Sequence, residues 1–184
     1  MSKTKKLTEK IVHLAILVSI GVIFSLIDKY ISALIFPSIP GARIGFANII
    51  ILIGILNYDF KDCLILALLK SLISGLLFSG LTTFIIGGTA TMISFFAMYF
   101  LKKIAHETIT NVGISCIGGL LHTITQLFVI MLIYNMGADV FVYGAYLLAI
   151  SLVSSILIGV LSIKINIIYK KIYNNDNNKT KDFE

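Results

Sequence analysis

Six apolar stretches separated by short polar breaks organise the chain: 11–36, 44–56, 63–78, 83–101, 114–134 and 141–163. None shows the strict two-residue alternation of a membrane β-strand. Several approach the roughly 20 residues that carry a helix across the hydrocarbon layer. In lipid every backbone N–H and C=O needs a partner within the protein, and a helix supplies one segment by segment. The pattern predicts an all-α, polytopic membrane protein of six transmembrane helices. The second and third stretches are short, so tilt or a locally thinned bilayer is expected there.

Composition agrees: 58% of the 184 residues are hydrophobic and only 13% charged, with a mean hydropathy of +0.98. A soluble domain carries about 25% charged residues. By length the chain is one domain: a basic N-terminus over 1–10, a membrane domain over 11–165, and a polar tail over 166–184. The asparagine-rich end of that tail, Asn174-Asn175-Asp176-Asn177-Asn178, is expected to be disordered. No small-residue cleavage site follows the first stretch, so removal of a signal peptide is not expected. Cys63 and Cys116 open apolar stretches and read as small apolar filler rather than a metal pair or disulfide.

The net charge of +6 is distributed as membrane orientation requires. Lys3, Lys5, Lys6 and Lys10 precede the first stretch, and Lys61, Lys102 and Lys103 fill alternate loops. Lys164, Lys170, Lys171, Lys179 and Lys181 follow the last. The opposite loops hold only Lys29 and Arg43. Basic residues stay cytoplasmic, which places both termini in the cytoplasm and Arg43 outside.

Polar residues inside apolar stretches are the candidates for chemistry. Pro40-Gly41 is a turn signal, followed by Arg43 at the lip of the second stretch and Asn48 one turn further in. Lys70 lies in mid-stretch, eight residues from Asp62, or roughly 12 Å along a helix. A charge at that depth marks a functional site by default, and the alternative is a stem snorkelling to the interface. His122 and Gln126 share one helical face, as ligand contacts or as interhelical hydrogen bonds. Arg43, Asn48, Lys70, His122 and Gln126 all fall in the outer half. Together they are expected to line an outward-opening, cationic cavity for a small anionic or amphiphilic ligand. Asp28 is expected near the outer interface, which leaves the ligand as the anion facing Lys70.

Ala15 and Ser19, then Gly21 and Ser25, give small-residue spacing on the first stretch. Such spacing serves packing within the bundle or docking to a second membrane subunit, and both remain open. Asp59 and Asp62 form a lone D-x-x-D in a short loop, far from the aspartate-rich clusters that hold magnesium against a diphosphate. No nucleophile–base set and no Walker-type loop stands out. Neither an enzyme, a metal site nor a cofactor is expected, and the ligand and the lipid bilayer are the partners read from the residues.

With these residues in view, the chain resembles a bacterial family of small membrane proteins. It is known as heptaprenyl diphosphate synthase component I, or as the Gx transporter family, related to substrate-binding S components of energy-coupling factor transporters. The resemblance runs from about 14 to 163. It is carried by Pro40-Gly41-Ala42-Arg43-Ile44-Gly45-Phe46-Ala47-Asn48, by Leu69-Lys70, and by Ser115-Cys116-Ile117-Gly118-Gly119-Leu120-Leu121-His122-Thr123-Ile124-Thr125-Gln126. The family usually has basic residues where Arg43 and Lys70 stand, and often an acid at Asp28. The S-component likeness implies a six-helix bundle in the bacterial cytoplasmic membrane that takes up a small molecule from outside. It further implies docking, through Ala15 and Ser19, to a shared coupling subunit with ATPases. The synthase name implies instead a non-catalytic membrane subunit of a heptaprenyl or polyprenyl diphosphate synthase, serving isoprenoid quinone synthesis beside a soluble prenyl synthase subunit.

Overall fold

A computed structural model describes residues 3–35, 37, 42–78, 80–105, 108–137 and 140–179. They form six helices: α1 (Lys3–Ile35), α2 (Asn48–Asn57), α3 (Phe60–Phe78), α4 (Gly80–Ile104), α5 (Asn111–Tyr134) and α6 (Val140–Lys179). The Pro40-Gly41 turn lies outside the described residues. α1, α4, α5 and α6 each contain a segment long and apolar enough to cross a bilayer. α6 continues as helix to Lys179, well into the polar 166–184 segment.

The second apolar stretch departs from the expectation of a full helical span. Residues 42–45 have no regular structure, and the helix proper has only 10 residues, roughly 15 Å of rise. α2 cannot cross a bilayer as a helix. Its residues from Asn48 to Ile55 are all buried, because Ile49, Ile50, Ile51, Leu52, Ile53 and Ile55 present apolar surface all round. The helix can satisfy every face only at the centre of the bundle. There it touches each of the other five, while α1, α3, α4, α5 and α6 pack side by side around it.

One end of the bundle is fixed by polar and aromatic contacts. Lys10 of α1 pairs with Asp62 at 2.6 Å, and Asn57 donates to Asn166 of α6 at 2.7 Å. Tyr58 and Tyr169 share a hydroxyl–hydroxyl hydrogen bond, and the His13 ring packs edge-on to Tyr169. The Lys102 ammonium donates to the Ile55 carbonyl, placing a cation at the C-terminal, negative end of α2. Early α1 and late α6 thus lie at the same end. At the other end the Lys29 ammonium donates to the Phe78 carbonyl of α3.

The α5–α6 seam is built on small residues. Ser115 donates to the Ser155 carbonyl at 2.7 Å, and Thr123 to Ser151 at 2.7 Å. A Cβ added at Gly119 would stand 1.8 Å from Ser155 Oγ, so only glycine permits this approach. Such close packing drives helix association where no hydrophobic effect separates helix from lipid.

Candidate functional site

The irregular segment before α2 enters the bundle and must find partners for its backbone there. Asp28 of α1, only 2% exposed, supplies them. Its carboxylate accepts from Gly45 N at 3.0 Å, from Ile44 N at 3.2 Å, and from the Ser32 hydroxyl at 3.4 Å. Ser32 also accepts from Ile44 N at 3.0 Å. Gly45 has φ of 97°, a conformation that glycine adopts without strain. This bracing holds Arg43 and Asn48 on either side of the bend.

Arg43 is buried with its guanidinium over Gly87 of α4, where an added Cβ would lie 3.8 Å from Cζ. Lys70 of α3 is buried with its stem against Gly21 of α1, at 3.1 Å from the position of a Cβ there. Both cations interact electrostatically with Asp28. Asn48 and His122 meet beside Gly45: a Cβ there would be 3.2 Å from Asn48 Nδ2 and 3.8 Å from His122 Cδ2. Both residues are buried, and neither the Asn48 amide nor either His122 nitrogen makes a well-formed hydrogen bond among the described residues. The ring of His122 does face the Ala90 backbone.

Four of the five residues singled out in the sequence are thereby gathered. Gln126 is fully buried one turn further along α5. Arg43 and Lys70 border a space of about 10 Å³, walled also by Ser71, Thr91 and Phe84, which is the room of one water. The described residues around it form a polar core.

Asp28 requires a correction. It was expected near the outer interface, leaving Lys70 without an intramembrane carboxylate. It lies instead inside the bundle and faces both cations. Charges gathered in a low-dielectric interior need compensation, and the Asp28 carboxylate contributes it to both cations. Its distance in sequence from Lys70 hid the electrostatic interaction, and the family acid at that position was the one available signal. Ser71, Ser74 and Thr91 also went unremarked, since isolated hydroxyls are ordinary in membrane helices.

The small residues of α1 divide between two faces. Gly21 and Ser25 point inward, Gly21 against Lys70 and Ile50, and Ser25 donating to the Gly21 carbonyl. Ala15 and Ser19 are exposed on the outer surface, with Ser19 donating to the Ala15 carbonyl. Among the described residues no group of three or more histidine, cysteine, aspartate or glutamate side chains could hold a metal.

The family model for heptaprenyl diphosphate synthase component I matches residues 17–165, a stretch that contains Asp28, Arg43, Lys70 and His122. The chain belongs to that family. No curated protein and no solved structure matches it. The matched region begins within α1 and ends in α6 just past the last apolar stretch, so it takes in all of α2 to α5 and part of α1 and α6.

Proposed function

We propose that this component I chain is a non-catalytic membrane subunit of a heptaprenyl or polyprenyl diphosphate synthase in isoprenoid quinone synthesis. The family match over residues 17–165 carries this reading. Asp62, half of the lone D-x-x-D, is engaged by Lys10, which leaves prenyl transfer to a soluble partner bearing its own aspartate-rich motifs. The chain passes the bilayer six times, the second passage made by the irregular 42–45 segment, the turn after it and α2. Both termini lie in the cytoplasm, on the lysine-rich side. The exposed Ala15–Ser19 strip of α1 is the place for a second membrane subunit, where small side chains allow close approach.

The test is affinity purification of the tagged chain co-expressed with the soluble prenyl synthase of the same genome. The synthase should co-purify with membranes, and its product length should change when the chain is absent. Independent behaviour of the two proteins in both assays would refute the proposal.

A second reading is favoured by the buried Asn48 amide, which has no hydrogen-bond partner among the described residues, and by His122 beside it, both close to Arg43 and Lys70. In it the chain is an S-component-like module that takes up a small anionic or amphiphilic molecule, working with a coupling subunit and ATPases. Mass spectrometry of molecules retained through purification tests it. An anion bound in stoichiometric amount supports it, and its absence from protein purified from the native membrane counts against it.

A further inference from the structure

The buried polar core has an apolar neighbour. Between α3 and α4 a groove of about 650 Å³ is lined by Leu68, Leu69, Leu72, Ile85, Met92 and Ile93. Leu68, Leu69, Leu72, Ile85 and Ile93 are all substantially exposed, so the groove faces the surroundings of the bundle, which for these helices is lipid. Its size falls within the ~300–1,000 Å³ of ordinary ligand sites. Thr89, the one hydroxyl at its outer part, is turned back onto the Ile85 carbonyl at 2.7 Å and offers the groove little polarity.

The inner wall is what distinguishes this groove from an ordinary crease between helices. Ser71, Phe84 and Gly88 line it, and the same three line the small polar space that holds Arg43 and Lys70. Phe84 is the partition. Its ring lies so close to Gly75 that a Cβ there would fall 2.6 Å from it, and it also covers Gly88. Ser71 Oγ, buried in this shared wall, has no hydrogen-bond partner among the described residues. Behind it Arg43 and Lys70, both buried, interact electrostatically with Asp28, whose carboxylate is itself occupied by two backbone N–H groups. The N-terminal, positive end of α2 begins at Asn48 with no side-chain cap and adds to the same local field.

We propose that groove and polar core form one site for a single-chain amphiphile with a phosphate-type headgroup, namely a long-chain prenyl diphosphate. The prenyl chain lies in the α3–α4 groove, reached sideways from the bilayer. The headgroup passes Ser71 to Lys70 and Arg43 once Phe84 swings away from Gly75 and joins the two spaces. The choice of a prenyl diphosphate rests on the synthase-subunit reading, whereas the apolar groove against a cationic core rests on the geometry alone.

Binding to the purified full chain in nanodiscs of neutral lipid tests the site, with native mass spectrometry and radioligand retention as readouts. Three probes separate its parts: geranylgeranyl diphosphate, geranylgeraniol and inorganic pyrophosphate. The diphosphate should bind at least roughly tenfold tighter than either of the others, since only it engages both halves. Gly88→Leu, which fills the groove at a position where a Cβ meets only ordinary contacts, should weaken it by a similar factor. Lys70→Met should do likewise through the headgroup, with Lys70→Arg retaining binding.

Equal binding of the alcohol would leave only a greasy groove and overturn the proposal. Equal binding of pyrophosphate would reduce the site to a small-anion pocket and overturn it as well. Displacement of the diphosphate by phosphatidylglycerol at similar concentration would assign the groove to bulk anionic lipid instead. If Lys70→Met does not fold, the wild-type comparison of probes and Gly88→Leu still decide the matter. The soluble synthase is absent from this assay. Loss of synthase association with diphosphate binding intact would therefore strike only the subunit reading, and the reverse would strike only the site.

Discussion

Asp28 and Gly45 are joined by hydrogen bonds from one backbone N–H to both oxygens of one carboxylate, at 3.2 and 3.0 Å. Through this bond α1 fixes the bend that leads into α2, and the same carboxylate faces Arg43 and Lys70. Backbone bracing and charge compensation therefore depend on a single side chain.

Asp28→Asn keeps the shape but removes the charge. It should destabilise the bundle by about 3–5 kcal/mol, as for a buried ionic group left without its partner. Adding Lys70→Met should recover part of that loss, because one of the stranded cations is then gone. Thermal unfolding in detergent of the two single variants and the double variant measures the coupling. Purely additive effects would show that Asp28 acts on the backbone alone.

The α5–α6 seam makes a separate prediction about packing. Gly119→Ala places a methyl group 1.8 Å from Ser155 Oγ and should cost about 1–3 kcal/mol as overpacking. Ser155→Ala in the same chain removes the clashing oxygen, and its methyl should then be tolerated better. If the double variant melts no higher than Gly119→Ala, the seam has adjusted by helix displacement instead.

Much of this site was legible because Arg43, Asn48, Lys70 and His122 stand alone among apolar residues, where polarity is costly enough to signal purpose. What escaped the sequence was lateral position. Depth along a helix can be counted at 1.5 Å per residue, but that count does not tell which helix lies alongside. Asp28 was misplaced for that reason. The 44–56 stretch likewise read as one short span, since an irregular segment braced by a carboxylate is as apolar in sequence as a helix. The two faces of α1 were within reach: at about 100° per residue, Ala15 and Ser19 nearly coincide, while Gly21 and Ser25 fall well away from them.

Topology follows from cysteine labelling in a background lacking Cys63 and Cys116. Ile104, 81% exposed at the end of α4, should react as Ile104→Cys only after the membrane is permeabilised. Met136, exposed beyond α5, should react as Met136→Cys in intact cells. The opposite pattern would reverse the orientation and place the lysine-rich end outside.

Lys102 tests how α2 is held at its lower end. Lys102→Met removes the cation from the Ile55 carbonyl and should cost about 0.5–2 kcal/mol, the range for a charge at a helix terminus. Lys102→Arg should retain most of that stability. A loss equal for both substitutions would mean that stem packing, rather than charge, matters.

The central position of α2 also sets an order of assembly. Ten residues are too few for a segment to enter the bilayer as a stable helix by itself. Its most extensive packing is against α6, the last of the six to be synthesised, through partners such as Asn166 and Tyr169. During translation α2 therefore waits, with its irregular lead-in, until α6 emerges and packs against it. A chain stopped after α5 lacks the wall against which α2 settles, and such a fragment becomes a substrate for membrane proteolysis rather than a smaller working protein.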